Sequence, residues 1–243
     1  MRAACLQQQI EPCKNDGNLA RALQMARVAL AEGAQILVYP ELFLTGFCYE
    51  TSLPTAAEEP AYSALDPFRE LAEEHGCLII GSLRSGRQNL GFCLDSVGLE
   101  LRPKIHPFGE EKEHFDGGDF ISPVATRWGR VGLQICYDLR FPEVARSLAL
   151  QGADFLVTMA QFPASRRAQW RALSIARAIE NQIPHLACNW ANGGGSLILN
   201  ALGVVVAEAD AGETIIWNDI DMTLRDDVRR EIPGFADRRP EIY

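Results

Sequence analysis

The sequence predicts an α/β fold in which two stacked β-sheets carry helices on their outer faces. Short apolar segments typical of buried strands alternate with segments whose apolar residues recur at helical spacing. In addition, EGAQILVYPE at 32–41 resembles QGADFLVTMAQ at 151–161, because each has a Gly-Ala turn followed by an apolar strand. Two similar halves would each contribute one sheet; the alternative is a chance similarity between two strand–helix units.

The first half of the chain alternates predicted strands and helices. Apolar residues from Leu19 to Leu30 recur at helical spacing, and Gly33 ends that helix. Val97 and Gly98 form a predicted hairpin turn between two strands. We expect strands at 2–8, 35–41, 77–82, 90–95 and 99–105, helices at 18–32 and 66–75, and a polar loop containing Pro54 and Pro60.

The second half repeats this alternation after a charged loop at 106–119. A turn that ends in Gly203 joins two of the late strands. We expect strands at 131–136, 154–159, 185–189, 196–200, 203–208 and 213–220, helices at 142–151 and 166–181, and an extended tail at 232–243. No linker-like segment divides the chain, so residues 1–243 are expected to form a single domain.

The composition describes an ordinary globular chain of 243 residues, whose net charge of −9 disfavours nucleic acid and anionic membranes as partners. Neither a signal peptide nor an apolar run of membrane-spanning length is visible, so we expect a cytoplasmic protein. The seven cysteines include no CxxC pair, and a reduced chain is the simple expectation. Four of them lie in apolar runs and are expected in the core: Cys5, Cys77, Cys93 and Cys188.

Polar residues that are able to do chemistry follow three of the predicted strands. Glu41 follows ILVYP, Lys104 lies in ELRPKIHPF, and Cys136 follows VGLQI. Glu111, in the charged loop, is a fourth candidate. Because α/β folds place functional residues beyond strand ends, we expect these side chains to meet. Taken singly, each also fits a structural role: a packed thiol, a turn acid, a surface lysine or a solvated loop.

This set of residue types suits nucleophilic catalysis by a thiol. A cysteine with an ordinary pKa of about 8.5 is mostly protonated at neutral pH, so a base must accept its proton. Glu41 is the candidate base, and Lys104 together with the backbone N–H of Tyr137 would stabilise an oxyanion. Glu111 would hold the Lys104 ammonium group in place.

Three sequence blocks resemble, in order, the signature blocks of the nitrilase or carbon–nitrogen hydrolase superfamily: PELFLTGF at 40–47, RPKIHPF at 102–108 and GLQICYDLRFPE at 132–143. ARAIENQ at 176–182 resembles the block that follows, and the terminal RRPEIY resembles the ending of several bacterial members. The resemblance implies a four-layer α-β-β-α sandwich of two mixed sheets. It also implies a homodimer that needs neither a metal nor an organic cofactor.

The resemblance further implies the roles of the site residues. Members of the superfamily use a Glu-Lys-Cys triad to attack the carbonyl carbon of an amide and form a thioester. The matching residues here are Glu41, Lys104 and Cys136. A second glutamate is often counted as a fourth member, and its spacing to the following aromatic-x-x-Gly motif favours Glu111, with Glu113 as the alternative.

Within the superfamily, the length and the first and third blocks are most similar to the omega-amidase branch. Those enzymes hydrolyse the distal carboxamide of 2-oxoglutaramate or 2-oxosuccinamate, which also carry a carboxylate. Arg140, or an arginine within 163–170, would pair with that carboxylate. Phe43, Phe47 and Phe162 are candidates for an apolar wall beside it, although each fits the protein core equally well.

Several other functions remain open from the sequence. A nitrilase or an N-carbamoyl amide hydrolase would use the same triad on a different substrate. A catalytically silent small-molecule-binding module would keep the fold without turnover. A Cys–His hydrolase would need a histidine beside the thiol, for which only His106 and His114 lie in a suitable loop.

Overall fold

The computed structural model describes residues 1–49 and 62–242, so the polar loop expected around Pro54 and Pro60 lies outside the described residues. Its strands are β1 (Arg2–Gln7), β2 (Ile36–Val38), β3 (Leu78–Ser85), β4 (Gln88–Leu94), β5 (Leu99–Pro103), β6 (Val124–Thr126), β7 (Gly129–Ile135), β8 (Phe155–Ala160), β9 (His185–Asn189), β10 (Leu197–Leu199), β11 (Val205–Glu208) and β12 (Thr214–Asp219). Within this part of the chain they form two six-stranded sheets, with the orders β12-β1-β2-β3-β4-β5 and β11-β10-β9-β8-β7-β6.

Within the described residues the helices are α1 (Asn15–Ala31), α2 (Asp66–His75), α3 (Glu111–His114), α4 (Pro142–Leu150), α5 (Arg167–Asn181) and α6 (Leu224–Glu231). Four of them cover the outer faces of the two sheets. The α1 and α2 helices pack on the first sheet, and α4 and α5 pack on the second sheet. The predicted α-β-β-α sandwich of two mixed sheets is therefore confirmed.

The two halves of the chain build equivalent sheet centres, as the internal similarity predicted. In the first sheet β2 lies parallel to β1 and β3, and in the second sheet β8 lies parallel to β7 and β9. A glycine with positive φ precedes each central strand, Gly33 at +82° and Gly152 at +86°. Only glycine adopts this left-handed backbone without a steric penalty, which explains the repeated Gly-Ala turn.

The core lies in three layers because strand side chains alternate between the two faces of a sheet. Between the sheets, residues of the first half pack against residues of the second: Ala3, Cys5, Ile36, Val38 and Ile80 against Val131, Ile135, Val157 and Leu186. The outer layers hold larger side chains, such as Phe68 of α2 and Trp170 of α5. Burial of this apolar area is the main driving force for stacking the sheets.

Four segments differ from the prediction. The β6 strand was missed because it has three residues and pairs only with β7. The charged loop contains the one-turn helix α3, and α6 was missed because Val228 is its only buried residue. The tail is not extended: within the described residues it forms turns, in which the N–H groups of Ala236 and Asp237 donate to the carbonyl of Pro233.

The cysteines follow the prediction in part. Cys5, Cys77, Cys93 and Cys188 are buried in the core, as predicted. The expectation of a reduced chain is wrong in this structure, because Cys13 forms a disulfide with Cys48 across a Cα–Cα distance of 5.2 Å. The two segments are neighbours since the N–H of Cys13 donates to the carbonyl of Thr45. No helix in the described ranges has the length and apolar character needed to span a membrane.

Candidate active site

The two sheets bring the three strand-end residues together. Glu41 lies just beyond β2 and Lys104 directly beyond β5 in the first sheet, whereas Cys136 directly follows β7 in the second. The Nζ of Lys104 donates to Oε1 of Glu41 at 2.7 Å. The Cys136 thiol is close enough to both residues that their charges act on its pKa.

Lys104 is buried between two carboxylates. Its Nζ contacts Oε1 of Glu41 at 2.7 Å and Oε2 of Glu111 at 2.6 Å. Burial acts to lower the pKa of Lys104, but the nearby negative charges of Glu41, Cys136 and Glu111 outweigh it and raise the pKa. Of the two alternatives for the second glutamate, the structure places Glu111 against the lysine, while Glu113 is exposed. Lys104 is therefore a fixed positive charge in the site.

Glu111 has an unusual protonation equilibrium for a carboxyl group. Burial, followed by the charge of Glu41, raises the pKa of Glu111 to about 7, and Lys104 limits the rise. Two carboxylates that share one lysine cannot both ionise without repulsion, which is the physical reason for the shift. Near neutral pH this group exchanges between a neutral acid and a carboxylate, and the charge of the whole site changes with it.

Two residues that the sequence reasoning missed complete the surroundings of Glu41. The Nδ2 of Asn89 on β4 donates to Oε1 of Glu41 at 2.9 Å. The N–H of Gln161 lies 3.3 Å from Oε2, and its side-chain amide donates to the main-chain carbonyl of Glu41 at 2.8 Å. The only sequence signal for Asn89 was a polar residue at the start of the apolar run NLGFCL.

Cys136 stands on a strained and half-buried turn. It begins a 3₁₀ segment, Cys136–Arg140, and has φ of +49°, in the left-handed region that side-chain-bearing residues avoid. Burial, and next the charge of Glu41, raise the pKa of its thiol well above the usual value, while Lys104 opposes the rise. A raised pKa favours the protonated thiol, so a nucleophilic role requires a base that removes its proton.

Asp138 ties the lysine segment to the cysteine turn. Its buried carboxylate accepts hydrogen bonds from the N–H of Ile135 at 3.1 Å and the N–H of His106 at 2.9 Å. It also contacts Nδ1 of His106 at 2.9 Å and the N–H of Ile105 at 3.4 Å. Ile105 and His106 follow Lys104 in the chain, and Ile135 directly precedes Cys136. The Asp138 carboxylate therefore holds the lysine segment and the cysteine turn together.

The residues predicted to contact substrate lie in two different environments. Phe43 is fully buried in the outer core of the first sheet, where it stacks on Tyr39 at 4.3 Å, so the predicted position in a substrate wall is wrong. Phe162 packs in the same apolar cluster as Cys136. The guanidinium of Arg140 lies 5.2 Å from the Phe162 ring and donates to Gln169 at 2.7 Å. Arg140 and Phe162 therefore share one side of the site.

Neither loop histidine is bonded to the thiol. His106 stacks on Phe141 with ring centroids 3.6 Å apart, and His114 stacks on Tyr49 at 3.9 Å. In residues 1–49 and 62–242, no hydrogen bond joins either histidine to Cys136. Over the same ranges, no three or more His, Cys, Asp or Glu side chains cluster in a way that would hold a metal ion.

The fold and the buried carboxylate–lysine–thiol arrangement together define a class of hydrolase. The chain belongs to the carbon–nitrogen hydrolase family, whose sequence profile matches residues 2–230. It is an enzyme that hydrolyses carbon–nitrogen bonds other than peptide bonds. The predicted superfamily is confirmed by this match.

Relatives whose names state an activity match the chain over nearly its whole length. The omega-amidase NIT2 of Homo sapiens is 31% identical over 268 residues, which is 100% of this chain and 96% of the relative. The 2-oxoglutaramate amidase of Bacillus subtilis is 33% identical over 261 residues, with 99% and 98% covered. Among solved structures, Saccharomyces cerevisiae Nit3, a nitrilase-superfamily member, superposes with a TM-score of 0.89 at 25% identity, covering 98% of this chain and 96% of Nit3.

A further solved relative carries a covalent addition at its own active-site cysteine. The amidase from Nesterenkonia sp. AN1 is 25% identical and superposes with a TM-score of 0.82. The match covers 97% of this chain and 99% of the amidase chain. Its structure shows the product of Michael addition of acrylamide to that cysteine. An active-site cysteine is thus recorded in an amidase of the same fold.

Proposed function

We propose that this protein is an omega-amidase-like amidohydrolase. It removes ammonia from the terminal carboxamide of a small carboxylate-bearing substrate such as 2-oxoglutaramate or 2-oxosuccinamate. The names of the relatives that match along the full length support this substrate class. The observation that carries the reaction type is the buried Lys104, bonded to Glu41 and Glu111 beside the Cys136 thiol.

The reaction begins with proton transfer from the thiol. Glu41 accepts the Cys136 proton as the sulfur attacks the carbonyl carbon, which forms a C–S bond and a tetrahedral oxyanion. The ammonium group of Lys104 and the backbone N–H of Tyr137 stabilise that oxyanion. Glu41 then returns the proton to the leaving nitrogen, the C–N bond breaks, and ammonia departs from a Cys136 thioester.

Hydrolysis of the thioester completes the cycle. Glu41, now ionised again, takes a proton from water as the water oxygen attacks the thioester carbon. The C–S bond breaks, the Cys136 sulfur regains a proton, and the carboxylic acid leaves. These steps use groups of the chain, the amide substrate and one water molecule, so the proposed mechanism uses no metal or organic cofactor.

The carboxylate end of the substrate is assigned to arginines at the mouth of the site. Arg140 lies over Phe162, and the guanidinium of Arg166 lies 5.5 Å from the Phe108 ring, which in turn is 4.7 Å from Tyr137. Replacing Arg140 or Arg166 with Gln, whichever binds the carboxylate, should raise KM for 2-oxoglutaramate. The KM for a neutral amide of similar size should not change. Arg171→Gln, on an exposed ion pair with Glu208, is the matched control.

A substrate panel tests the proposed function. Ammonia release is measured with carboxamides, nitriles and ureido acids, each with and without a distant carboxylate. The proposal predicts the highest kcat/KM for the 2-oxo diacid monoamides. Faster turnover of nitriles would make the protein a nitrilase, and faster turnover of ureido acids would make it an N-carbamoyl amide hydrolase; either result would refute the omega-amidase assignment.

The proposal extends to organisation and location. We expect one domain over residues 1–243, paired as a homodimer and working in the cytoplasm. The inner core joins both halves of the chain, which supports a single cooperative unit. Exposed apolar residues on α4, α5 and the C-terminal segment offer a pairing surface: Leu150, Ile179 and Ile232. A solution mass of twice 26.8 kDa by light scattering is the expected result, and a monomer would exclude the pairing.

A further inference from the structure

We propose that Asn89 is a positioning residue that holds Glu41 so that Oε2 of its carboxylate, and not Oε1, receives the proton of Cys136. The inference rests on the proposed function, because Glu41 and Cys136 have their roles as base and nucleophile there. Asn89 contacts neither the substrate nor the sulfur in this scheme and acts only through Glu41. Asn89 lies on β4 of the first sheet, where its side chain contacts Glu41.

The two oxygens of Glu41 have different surroundings. Oε1 accepts two hydrogen bonds, from Nζ of Lys104 at 2.7 Å and from Nδ2 of Asn89 at 2.9 Å. Within the described residues, Oε2 accepts one long hydrogen bond, from the N–H of Gln161 at 3.3 Å. An oxygen that already accepts two strong donors is a weaker base than its partner, so the proton of the thiol goes to Oε2.

Asn89 also fixes the lysine that shares Oε1. Its main-chain carbonyl accepts a hydrogen bond from the N–H of Lys104 at 2.8 Å. One residue of β4 therefore sets the backbone of Lys104 and the side chain of Glu41 together. All three residues are almost completely buried, so water does not compete for these bonds.

The carbonyl oxygen of the Asn89 side chain supports a functional role for this residue rather than a purely structural one. Its Oδ1 is buried and has no hydrogen-bond partner in the described ranges. A buried amide oxygen left unpaired is destabilising, so packing alone does not explain an asparagine here. An asparagine at this place is explained by the donor that its Nδ2 directs at Glu41.

Three variants test the proposal. Asn89→Leu removes the donor and the unpaired oxygen, and Asn89→Asp keeps the shape but donates only while its carboxyl group is protonated. Asn181→Leu is the matched control, because Asn181 is also buried, donates through Nδ2 to the carbonyl of Arg177, and has an unpaired Oδ1 within the described chain. It lies at the end of α5, outside the site.

The expected results separate positioning from folding. Asn89→Leu should remain folded and lower kcat for 2-oxoglutaramate on the order of 10- to 100-fold, with KM little changed. Asn89→Asp should shift the pH optimum to lower pH, because ionisation of the new carboxyl both removes the donor and adds a negative charge. Asn181→Leu should leave kcat/KM and its pH profile unchanged.

The charged and titratable groups around Glu41 enter the pH profile of every variant. They are Lys104, Glu111 and Cys136, with Tyr49 at the edge of the site. Because they are the same in wild type and variants, the shift between profiles reports Asn89 alone. A profile of Asn89→Asp that coincides with wild type would overturn the proposal, as would full activity in Asn89→Leu.

A second readout does not depend on the substrate. Alkylation of Cys136 by iodoacetamide, in which the sulfur displaces iodide, is followed by mass spectrometry across pH. Slower alkylation in Asn89→Leu supports the role of Asn89 even if the wild type hydrolyses no carboxamide. Absence of carboxamide hydrolysis would refute only the proposed function. Wild-type alkylation rates in both Asn89 variants would refute the role of Asn89. If Asn89→Leu does not fold, the isosteric Asn89→Asp decides.

Discussion

Cys136 combines three properties that rarely coincide in one residue: a left-handed backbone, partial burial and a raised thiol pKa. The left-handed conformation costs a side-chain-bearing residue about 1–2 kcal/mol. Leu42, next to Glu41, has a similar φ of +47°. Base and nucleophile are thus both associated with strained backbone, which the surrounding hydrogen bonds and packing must hold in place.

The strain at Cys136 gives a stability prediction. Cys136→Gly should be more stable than Cys136→Ala by about 1 kcal/mol, because glycine adopts φ of +49° without a steric penalty. The two unfolding free energies are compared by urea denaturation, with both variants inactive. An alanine variant that is the more stable of the two would show that the turn is not strained.

The sequence predicted residue types at the site better than it predicted their partners. Glu41, Lys104 and Cys136 were identified because each follows a strand and matches a family block. Asn89 was missed because its bond to Glu41 joins residues 48 positions apart, which no local pattern records. Phe43 was misplaced because an apolar residue beside a site residue has the same sequence pattern whether it faces the core or the pocket.

At the scale of elements, the short helix α3 controls the charge of the site. It carries Glu111 at its first position, and Phe115 beyond its end is buried as an anchor. The Glu111 carboxyl group has its pKa raised to about 7 by burial and by Glu41. A change of pH across this value therefore adds or removes one negative charge beside Lys104.

Glu111 should make stability fall as pH rises. Its pKa is higher in the folded chain, about 7, than the ordinary value of 4.5, so the folded state binds more protons between these pH values. The unfolding free energy of wild type relative to Glu111→Gln should therefore decrease by about 3 kcal/mol from pH 4.5 to 7. Urea denaturation at several pH values measures the difference. A flat difference would contradict the shifted pKa.

Element prediction from the sequence depended on how strongly each element is patterned. The α2 helix was predicted at its observed bounds, Asp66–His75, because Phe68, Leu71 and Ala72 form one buried face. The α6 helix, LRDDVRRE, has no such face, because Val228 is its one buried residue, so periodicity gave no signal. Polar contacts, such as the ion pair of Arg225 with Asp154, also hold it in place. The β6 strand is too short for alternation to be recognised and exists only because β7 pairs with it.

At the scale of the whole molecule, a buried histidine opposes the effect of Glu111. His185 is fully buried in the second sheet; its Nδ1 donates to the carbonyl of Ser174 at 3.0 Å, and its Nε2 accepts from Thr158 at 2.8 Å. Both ring nitrogens are satisfied in the neutral form. Burial is the main cause that lowers the pKa of His185 to about 4.

His185 should make stability fall as pH drops. The unfolded chain binds a proton at the ordinary pKa of 6.5, whereas the folded chain resists protonation down to about 4. The unfolding free energy of wild type relative to His185→Gln should decrease by about 3 kcal/mol from pH 6.5 to 4. The same denaturation series provides the measurement, and a difference that grows toward low pH would contradict the account.

The central claim is that Cys136, assisted by Glu41 and Lys104, forms a thioester with the acyl part of a small carboxamide. Mass spectrometry of the protein mixed with 2-oxoglutaramate and quenched in acid tests it directly. We predict a mass increase equal to the substrate less ammonia, located on the peptide that contains Cys136 and absent from Cys136→Ala. Ammonia release without any adduct on Cys136, or an adduct on a different residue, would contradict the account.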